Sequence, residues 1–273
     1  MKHRSSHLSS AVIIAAAALA VSGAFTSLAA ADETPSAEIW YLGHCGYAVK
    51  TSKHFLIFDY IELEENPVER GLDKGFVDPA EIADLDVIVF TTHSHIDHYD
   101  PVIRSWRGTI PKISYVFGWK VEDEPGVYSM DKPRDHLELN GVLIHTVNSH
   151  HAGVPEVAYL VQMDGLTLFH EGDYQGRMGP NEPANTKEDM VYLRKIADRV
   201  DVAFVGHWTG EPVLDILRGL EPEVVFPMHD RKKEYLYKNF PRELADRGIN
   251  RPVLCPEARG DKFVLQNGVV HPD

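Results

Sequence analysis

The spacing of apolar and polar positions divides most of the chain into two differently patterned halves. In the first half, short apolar runs bounded by polar or turn residues predict strands over EIWYLG, YAVKTS, HFLIFDY, DVIVFTT, KISYVFG, GVLIHTV, VAYLVQM and LTLFHEG. The segment PAEIADLD is predicted as a short helix, and the DG dipeptide at Asp164 and Gly165 predicts a hairpin. The second half alternates, with helices predicted over KEDMVYLRKIADRV and EPVLDILRGL and strands over VDVAFVG and EVVFPM. Strands followed by βαβ-like units indicate a layered α/β protein.

The N-terminal 31 residues have a different composition from the rest. Lys2 and Arg4 precede the apolar run AVIIAAAALAV, and Ala29 and Ala31 have the small-residue spacing of a cleavage site. This layout predicts a cleaved secretory signal peptide over residues 1–31 and a mature domain over residues 32–273. The apolar run is short for a membrane-spanning helix, which needs about 20 residues. We therefore expect an exported protein, periplasmic or secreted, without stable membrane insertion.

The charge of the chain restricts its partners. The formal net charge is −14, and loss of Lys2 and Arg4 with the signal peptide makes it −16. Such a protein is repelled by phosphate backbones, so we expect no nucleic-acid partner and a small-molecule substrate instead. The oligomeric state is open. The two cysteines, Cys45 and Cys255, either pair or leave Cys45, in LGHCGY, to line a site.

Polar residues with metal-binding or catalytic chemistry follow several of the predicted buried strands. Side chains at the ends of neighbouring strands meet at one edge of a sheet, which is where a shared site is built. The residues in these positions are His93, His150, His151, Asp173, His207 and His229.

The densest group of such residues is TTHSHIDHYD, in which His93, His95, Asp97 and His98 form the pattern H-x-H-x-D-H. In a tight loop His93 and His95 can point the same way and meet one ion, while Asp97 and His98 supply a second. Imidazole nitrogen and carboxylate oxygen are ordinary zinc ligands. Four residues fall short of two coordination shells, so the other strand-end residues are needed to complete them.

This motif and the order of the later residues resemble the metallo-β-lactamase superfamily. HSHIDH is followed by a histidine in NSHHAGVP, an aspartate in FHEGD and a late histidine in FPMHD. LGHCGY and the strand ending in FDY resemble the UlaG-like branch, which includes ascorbate-phosphate lactonases. The resemblance covers Glu38 to the C-terminus and implies a single-domain, four-layer αββα sandwich.

The resemblance also implies a ligand set for two divalent metal ions. One ion would be held by His93, His95 and a histidine of NSHHAGVP, and the other by Asp97, His98 and His229, with Asp173 bridging both. The form H-x-G-x-P favours His151 as the third ligand, whereas H-x-x-G favours His150. Outside the ligand set, His44, His207 and Glu171 are candidates for contact with substrate or with the ligands.

These residues predict a metal-dependent hydrolase. Two ions can share a hydroxide as nucleophile and polarise the substrate, and Asp97 would orient the attack as the catalytic residue. A histidine-rich site suits zinc, with manganese or iron as alternatives. We expect cleavage of a small ester, lactone or phosphodiester. The alternatives are a metallo-β-lactamase acting on β-lactams and a non-catalytic metal- or ligand-binding protein of the same fold.

Overall fold

Two β-sheets form the centre of the computed structural model, which describes residues 35–62, 67, 69–179 and 181–273. The predicted signal peptide lies outside these residues. The strands, in chain order, are β1 (Ala37–Gly43), β2 (Gly46–Lys50), β3 (Phe55–Phe58), β4 (Val87–Thr91), β5 (Ile113–Phe117), β6 (Val127–Ser129), β7 (His136–Leu139), β8 (Val142–His151), β9 (Val154–Met163), β10 (Leu166–His170), β11 (Val202–Gly206), β12 (Val224–Met228), β13 (Lys262–Gln266) and β14 (Val269–Pro272).

The strands pair into one sheet of eight and one of six. The first sheet has the order β14-β13-β1-β2-β3-β4-β5-β6, and the second has the order β12-β11-β10-β9-β8-β7. Within each sheet an antiparallel part adjoins a parallel part, which comprises β3 to β6 in the first sheet and β10 to β12 in the second. The predicted ligands His93, Asp173 and His229 follow the carboxyl ends of three of these parallel strands, β4, β10 and β12.

The alternation of side chains explains how the sheets stack. Along β1, Ile39 and Tyr41 belong to the core between the two sheets, whereas Leu42 faces a second apolar layer. Along β11, Phe204 joins the central core and Ala203 faces a third apolar layer. Each sheet is therefore apolar on both faces, and its outer face must be covered by other elements.

Helices cover both outer faces. The helix α1 (Val102–Ser105) and a 3₁₀-helix (Trp106–Gly108) pack on the first sheet, and α2 (Thr186–Arg194), α3 (Glu211–Leu220) and α4 (Phe240–Asp246) pack on the second. Two more 3₁₀-helices span Leu72–Lys74 and Glu234–Asn239. The layers are thus helix, sheet, sheet and helix, which confirms the predicted αββα sandwich. Within the described residues, no helix has both the length and the apolar character needed to cross a membrane.

Most predicted elements are present, with one clear error. The hairpin at Asp164 and Gly165 forms with both residues at positive φ, as a primed turn requires. The predicted helix over PAEIADLD is wrong, because these residues form successive turns. The Asp78 side chain accepts the Ala80 N–H, and only single i to i+3 bonds follow, such as Leu85 N–H to the Ile82 carbonyl. The segment ends at β4 before a helix of useful length can form.

Candidate metal centre

The H-x-H-x-D-H segment follows β4 and folds back on itself. The N–H groups of His98 and Tyr99 both donate to the His95 carbonyl, at 3.0 and 2.9 Å, which closes a tight turn. This turn places the His98 ring 4.1 Å from the His93 ring, and the His95 ring lies 4.6 Å from that of His93. His93 and His98 are fully buried, and His95 is half-buried.

Asp173 lies at the centre of the cluster. It follows β10, and its carboxylate approaches histidines from three other strand ends. The imidazole Nε2 atoms nearest to it are those of His229 at 2.5 Å, His151 at 3.1 Å, His98 at 3.5 Å and His93 at 3.9 Å. The structure thus brings together a carboxylate and four imidazoles from separate segments of the sequence. The resemblance assigns the bridging role to this carboxylate.

The structure distinguishes between the two adjacent histidines of β8. Successive strand residues point to opposite sides, so only one of them can face Asp173. The His151 ring lies 5.6 Å from that of His93 and 5.5 Å from that of His95. His150 is exposed and lines a cavity to which neither His151 nor Asp173 contributes. The position of His151 is the one that the H-x-G-x-P alignment favours.

Buried acceptors orient two of the histidines. Asp59, at the end of β3, lies 2.7 Å from His98 Nδ1, and because a carboxylate only accepts, His98 donates from Nδ1 and Nε2 is the nitrogen that faces Asp173. Asp59 also accepts from the Thr92 N–H and hydroxyl, both at 2.8 Å. Glu156 lies 3.4 Å from His93 Nδ1 and accepts the Asp173 N–H. Such contacts fix the tautomer and orientation of metal-binding histidines.

The electrostatics of the cluster favour a bound cation. Burial lowers the pKa of His93 to about 3, so its ring is neutral at pH 7, as a ligand must be. Burial also acts to lower the pKa of His98, but the negative charges of Cys45 and Asp59 and a hydrogen bond with Asp173 outweigh it and raise that pKa well above its usual value. The centre of the cluster is therefore a place where positive charge is stabilised.

Two buried atoms of the cluster, His93 Nε2 and Asp173 Oδ1, make no well-aligned hydrogen bond among the described residues, although His229 Nε2 lies 2.5 Å from Asp173 Oδ1. An unsatisfied buried polar atom is costly, and both atoms are good donors to a divalent cation. The ligand atoms of His93, His98 and Asp173 also lie within 4.8 Å of one another. The donor set and its geometry therefore fit a metal.

Asp97 lies at the edge of this cluster, with its side chain 30% exposed. Its carboxylate is 3.6 Å from His44 Nε2 and 3.8 Å from the Arg231 guanidinium. The His44 ring beside it is the largest influence on the pKa of Asp97 and holds it well below the usual value. Asp97 is thus ionised at neutral pH.

The other two candidates occupy positions beside the cluster. His207 follows β11, and its Nδ1 donates to the Met228 carbonyl at 2.9 Å, which assigns it a structural contact. Glu171 is buried and accepts the Gly206 N–H at 2.7 Å, and burial raises its pKa to about 8. Neither His207 nor Glu171 has a described side-chain contact with Asp173. Trp208, next to His207, places its ring 4.7 Å from that of His229.

Sequence reasoning did not assign a role to Asp59 or Glu156. Asp59 ends a buried strand, so the same strand-end argument that selected the histidines would have selected it. Glu156 lies inside β9 and is fully buried, and only the pairing of β9 with the segment after β4 shows that it reaches His93. Cys45 was identified as a residue that could line a site, and its thiol lies 3.9 Å from His98 Nε2.

Comparisons with known proteins agree with this geometry. The sequence profile of the family described as beta-lactamase superfamily domain matches residues 38–229. A metal-dependent hydrolase of Thermococcus onnurineus is 26% identical over 208 residues, which are 70% of this chain and 84% of that protein. Another from Thermococcus kodakarensis is 27% identical over 216 residues, with the same coverage of both chains.

A solved structure shares the fold. Igni18, a metallo hydrolase of Ignicoccus hospitalis, superposes with a TM-score of 0.57 and 17% identity, covering 85% of this chain and 99% of its own. At this identity the likeness concerns the fold alone. The family profile, by contrast, spans the segment from β1 to His229, including the H-x-H-x-D-H motif and Asp173. The chain therefore belongs to the beta-lactamase superfamily.

Proposed function

We propose that the protein is an exported metal-dependent hydrolase that cleaves a small ester, lactone or phosphodiester. The observation that carries the proposal is the convergence of His93, His98, His151 and His229 on the carboxylate of Asp173. The relatives from Thermococcus are named metal-dependent hydrolases, which supports the same reaction class. Two ions, with zinc as the first choice, are proposed because the imidazoles lie on both sides of Asp173.

Two sets of residues would hold the two metal ions. His93, His95 and His151 would hold one metal ion, and His98 and His229 the other, with Asp173 between them. Bound divalent ions act as Lewis acids and bring the pKa of coordinated water towards neutrality. Asp97 is ionised and close to the cluster, and its low pKa makes it a hydrogen-bond acceptor that orients the attacking water rather than a strong base.

The surface beside the cluster suits a small molecule. A cavity of about 440 Å³ is lined by His150, Gln175, Arg177 and Met178, together with small residues. This volume lies in the range of sites for small ligands. Gln175 connects the cavity to the cluster, because its side-chain amide lies 3.1 Å from His151 Nδ1.

Two exposed apolar residues, Ile96 and Trp208, belong to the segments that carry or contact predicted ligands. Ile96, between two predicted ligands, is 85% exposed, and Trp208 is 40% exposed while it contacts His229. We propose that Ile96 and Trp208 contact an apolar part of the substrate.

The experiment that tests the hydrolase is chelator-sensitive turnover by the purified chain, reloaded with zinc or manganese. The substrates are bis(p-nitrophenyl) phosphate, a simple lactone and nitrocefin, which separate phosphodiester, acyl and β-lactam chemistry. We expect turnover of one of the first two, loss with chelator, recovery with metal and loss in Asp173→Asn. Turnover of nitrocefin alone would indicate a β-lactamase, and bound metal without any turnover would favour a non-catalytic binder.

Export is proposed from the first 31 residues alone. Lys2, Arg4 and the apolar run that follows have the layout of a signal peptide. N-terminal sequencing of the protein recovered outside the cytoplasm of a bacterial host should give Asp32 as the first residue. Recovery only from the cytoplasm, with Met1 retained, would contradict export.

A further inference from the structure

Cys45 occupies the turn between β1 and β2. The preceding residue, His44, has a φ of 55°, and this left-handed turn directs the chain from β1 back into β2. The Cys45 side chain is fully buried, and its sulfur lies 3.9 Å from His98 Nε2. Cys45 therefore contacts the same histidine nitrogen that faces Asp173.

A second group of ligand atoms surrounds this sulfur. The ligand atoms of His44, Cys45, His98 and His229 all lie within 4.8 Å of one another, and all four residues are buried. His44 Nε2 has no hydrogen-bond partner among the described residues. The Asp97 carboxylate is the group that this nitrogen faces, at 3.6 Å. The Cys45, His98 and His229 atoms are therefore the members of the group that can share an ion.

Asp97, which the family pattern assigns to this second ion, is not in either close group of ligand atoms among the described residues. Its side chain is partly exposed and lies between His44 and Arg231, at 3.6 and 3.8 Å. Cys45, and not Asp97, is therefore the residue grouped with His98 and His229 among the described residues.

We propose that Cys45 is a thiolate ligand of the second metal ion, together with His98 and His229. Asp97 then remains at the partly exposed edge of the cluster, beside His44. The proposal rests on the proposed metal-dependent function. Two donors on one tetrahedral zinc, at about 2.3 Å for sulfur and about 2.0 Å for nitrogen, are separated by roughly 3.5 Å. The 3.9 Å between the Cys45 sulfur and His98 Nε2 is close to this separation.

A thiolate ligand would change the metal preference of the site. Sulfur is a soft donor that favours zinc and disfavours manganese, whereas a carboxylate accommodates both. We therefore expect the second site to retain zinc in the presence of excess manganese. Replacement of Cys45 by serine should reduce this preference.

The test is the absorption spectrum of the purified chain loaded with cobalt(II). Ligation by Cys45 predicts an intense near-ultraviolet thiolate-to-cobalt charge-transfer band in the wild type. The band should be lost in Cys45→Ser and Cys45→Ala and retained in Asp97→Asn. Cys255→Ser is the matched control, because Cys255 is the other cysteine and its thiol contacts the Tyr237 carbonyl at 3.2 Å, outside both groups.

X-ray absorption of the zinc-loaded wild type gives a second readout that needs no variant. It should show a sulfur scatterer at about 2.3 Å. Visible cobalt bands without the charge-transfer band, or zinc with nitrogen and oxygen neighbours only, would overturn the thiolate proposal while leaving the hydrolase intact. Failure to bind either metal would overturn both proposals, and turnover that survives chelation would contradict the proposed function alone.

Discussion

Single buried side chains decide how the histidines of the cluster are presented. His98 can offer Nε2 to an ion because Asp59 receives the hydrogen of its Nδ1. Burial acts to raise the pKa of Asp59, but the His98 ring beside it lowers that pKa below its usual value, so the carboxylate stays ionised. A charged acceptor gives the ring a stronger and more directional contact than a neutral one.

Replacement of Asp59 by asparagine should weaken metal binding. The amide keeps the size of the side chain but loses the charge that orients His98, and changes of this kind cost about 10–100-fold in metal affinity. Competition titration with a chromophoric chelator measures the effect. The control is Asp84→Asn, at an exposed position outside the cluster, and equal affinities in the two variants would contradict the role of Asp59.

The adjacent residues His150 and His151 provide a matched pair. His151→Ala should reduce the metal affinity by more than about tenfold, because His151 Nε2 faces Asp173 at 3.1 Å. His150→Ala should leave the affinity unchanged, because its side chain is exposed and lines a cavity to which Asp173 does not contribute. Metal content after dialysis, measured for both variants, checks this. The reverse order would support the H-x-x-G alignment.

At the scale of elements, the segment after β4 is held in place by close backbone contacts. The Thr91 carbonyl accepts the Gly118 N–H at 2.9 Å, and the Thr92 carbonyl accepts the Val157 N–H at 3.2 Å. A Cβ added to Gly118 would collide with the Thr92 carbonyl oxygen and lie 2.6 Å from a Val157 methyl carbon. Only glycine therefore fits where β5 ends beside the segment that carries His93.

Replacement of Gly118 by alanine should lower the free energy of unfolding by about 1–3 kcal/mol, as overpacking of a core does. It should also weaken metal binding, since Thr92 must move and His93 follows it directly. Chemical denaturation and metal titration measure the two effects. Gly108→Ala is the control, because a Cβ there meets nothing within 4 Å. A stable, metal-binding Gly118→Ala variant would show that the segment after β4 is adaptable.

At the scale of the whole molecule, the two sheets are also joined by polar contacts between turns that do not carry the predicted metal ligands. Asp164, in the turn between β9 and β10, accepts from the Thr51 hydroxyl at 2.5 Å and contacts His54 Nδ1 at 2.8 Å. Thr51 and His54 belong to the turn between β2 and β3 of the other sheet. Burial acts to raise the pKa of Asp164, but these two contacts outweigh it, and that pKa is lowered from its usual 3.8.

Replacement of Asp164 by asparagine should lower the free energy of unfolding by roughly 1.5–3 kcal/mol at neutral pH, the range for hydrogen bonds to charged groups. Because the pKa of Asp164 is depressed on folding, its contribution is fully present above pH 3.8 and is lost as the pH falls through the folded-state value. The difference between wild type and variant should therefore shrink in acid. Denaturation at several pH values checks this.

The control for this prediction is Asp123→Asn, because Asp123 is fully exposed and its ion pair with Lys120, at 3.7 Å, lies at the surface. Exposed pairs of this kind contribute little, so its stability should follow that of the wild type at every pH. A difference for Asp164→Asn that stayed constant into acid would show that packing, rather than the charge, holds the two turns together.

The sequence by itself determined the features that depend on neighbouring residues. Buried strands appear as apolar runs, which is why the strands carrying the predicted ligands were found, and α3 was predicted with its observed bounds. The H-x-H-x-D-H motif could be recognised because its four residues are contiguous. The predicted helix over PAEIADLD was wrong because local periodicity does not show that the segment closes into turns. The polar edge strand β7 and the hairpin of β13 and β14 carry weaker patterns and were not predicted.

Only the tertiary structure decided the features that depend on packing between distant segments. Strand register determines that His151 rather than His150 faces Asp173, and a shift of one residue would reverse them. Asp59, Glu156 and Cys45 reach the cluster from three different elements, and only the fold shows that they meet the histidines there. The physical reason is that a metal site is completed by side chains whose separation in sequence carries no information about their distance, which the stacking of the two sheets alone sets.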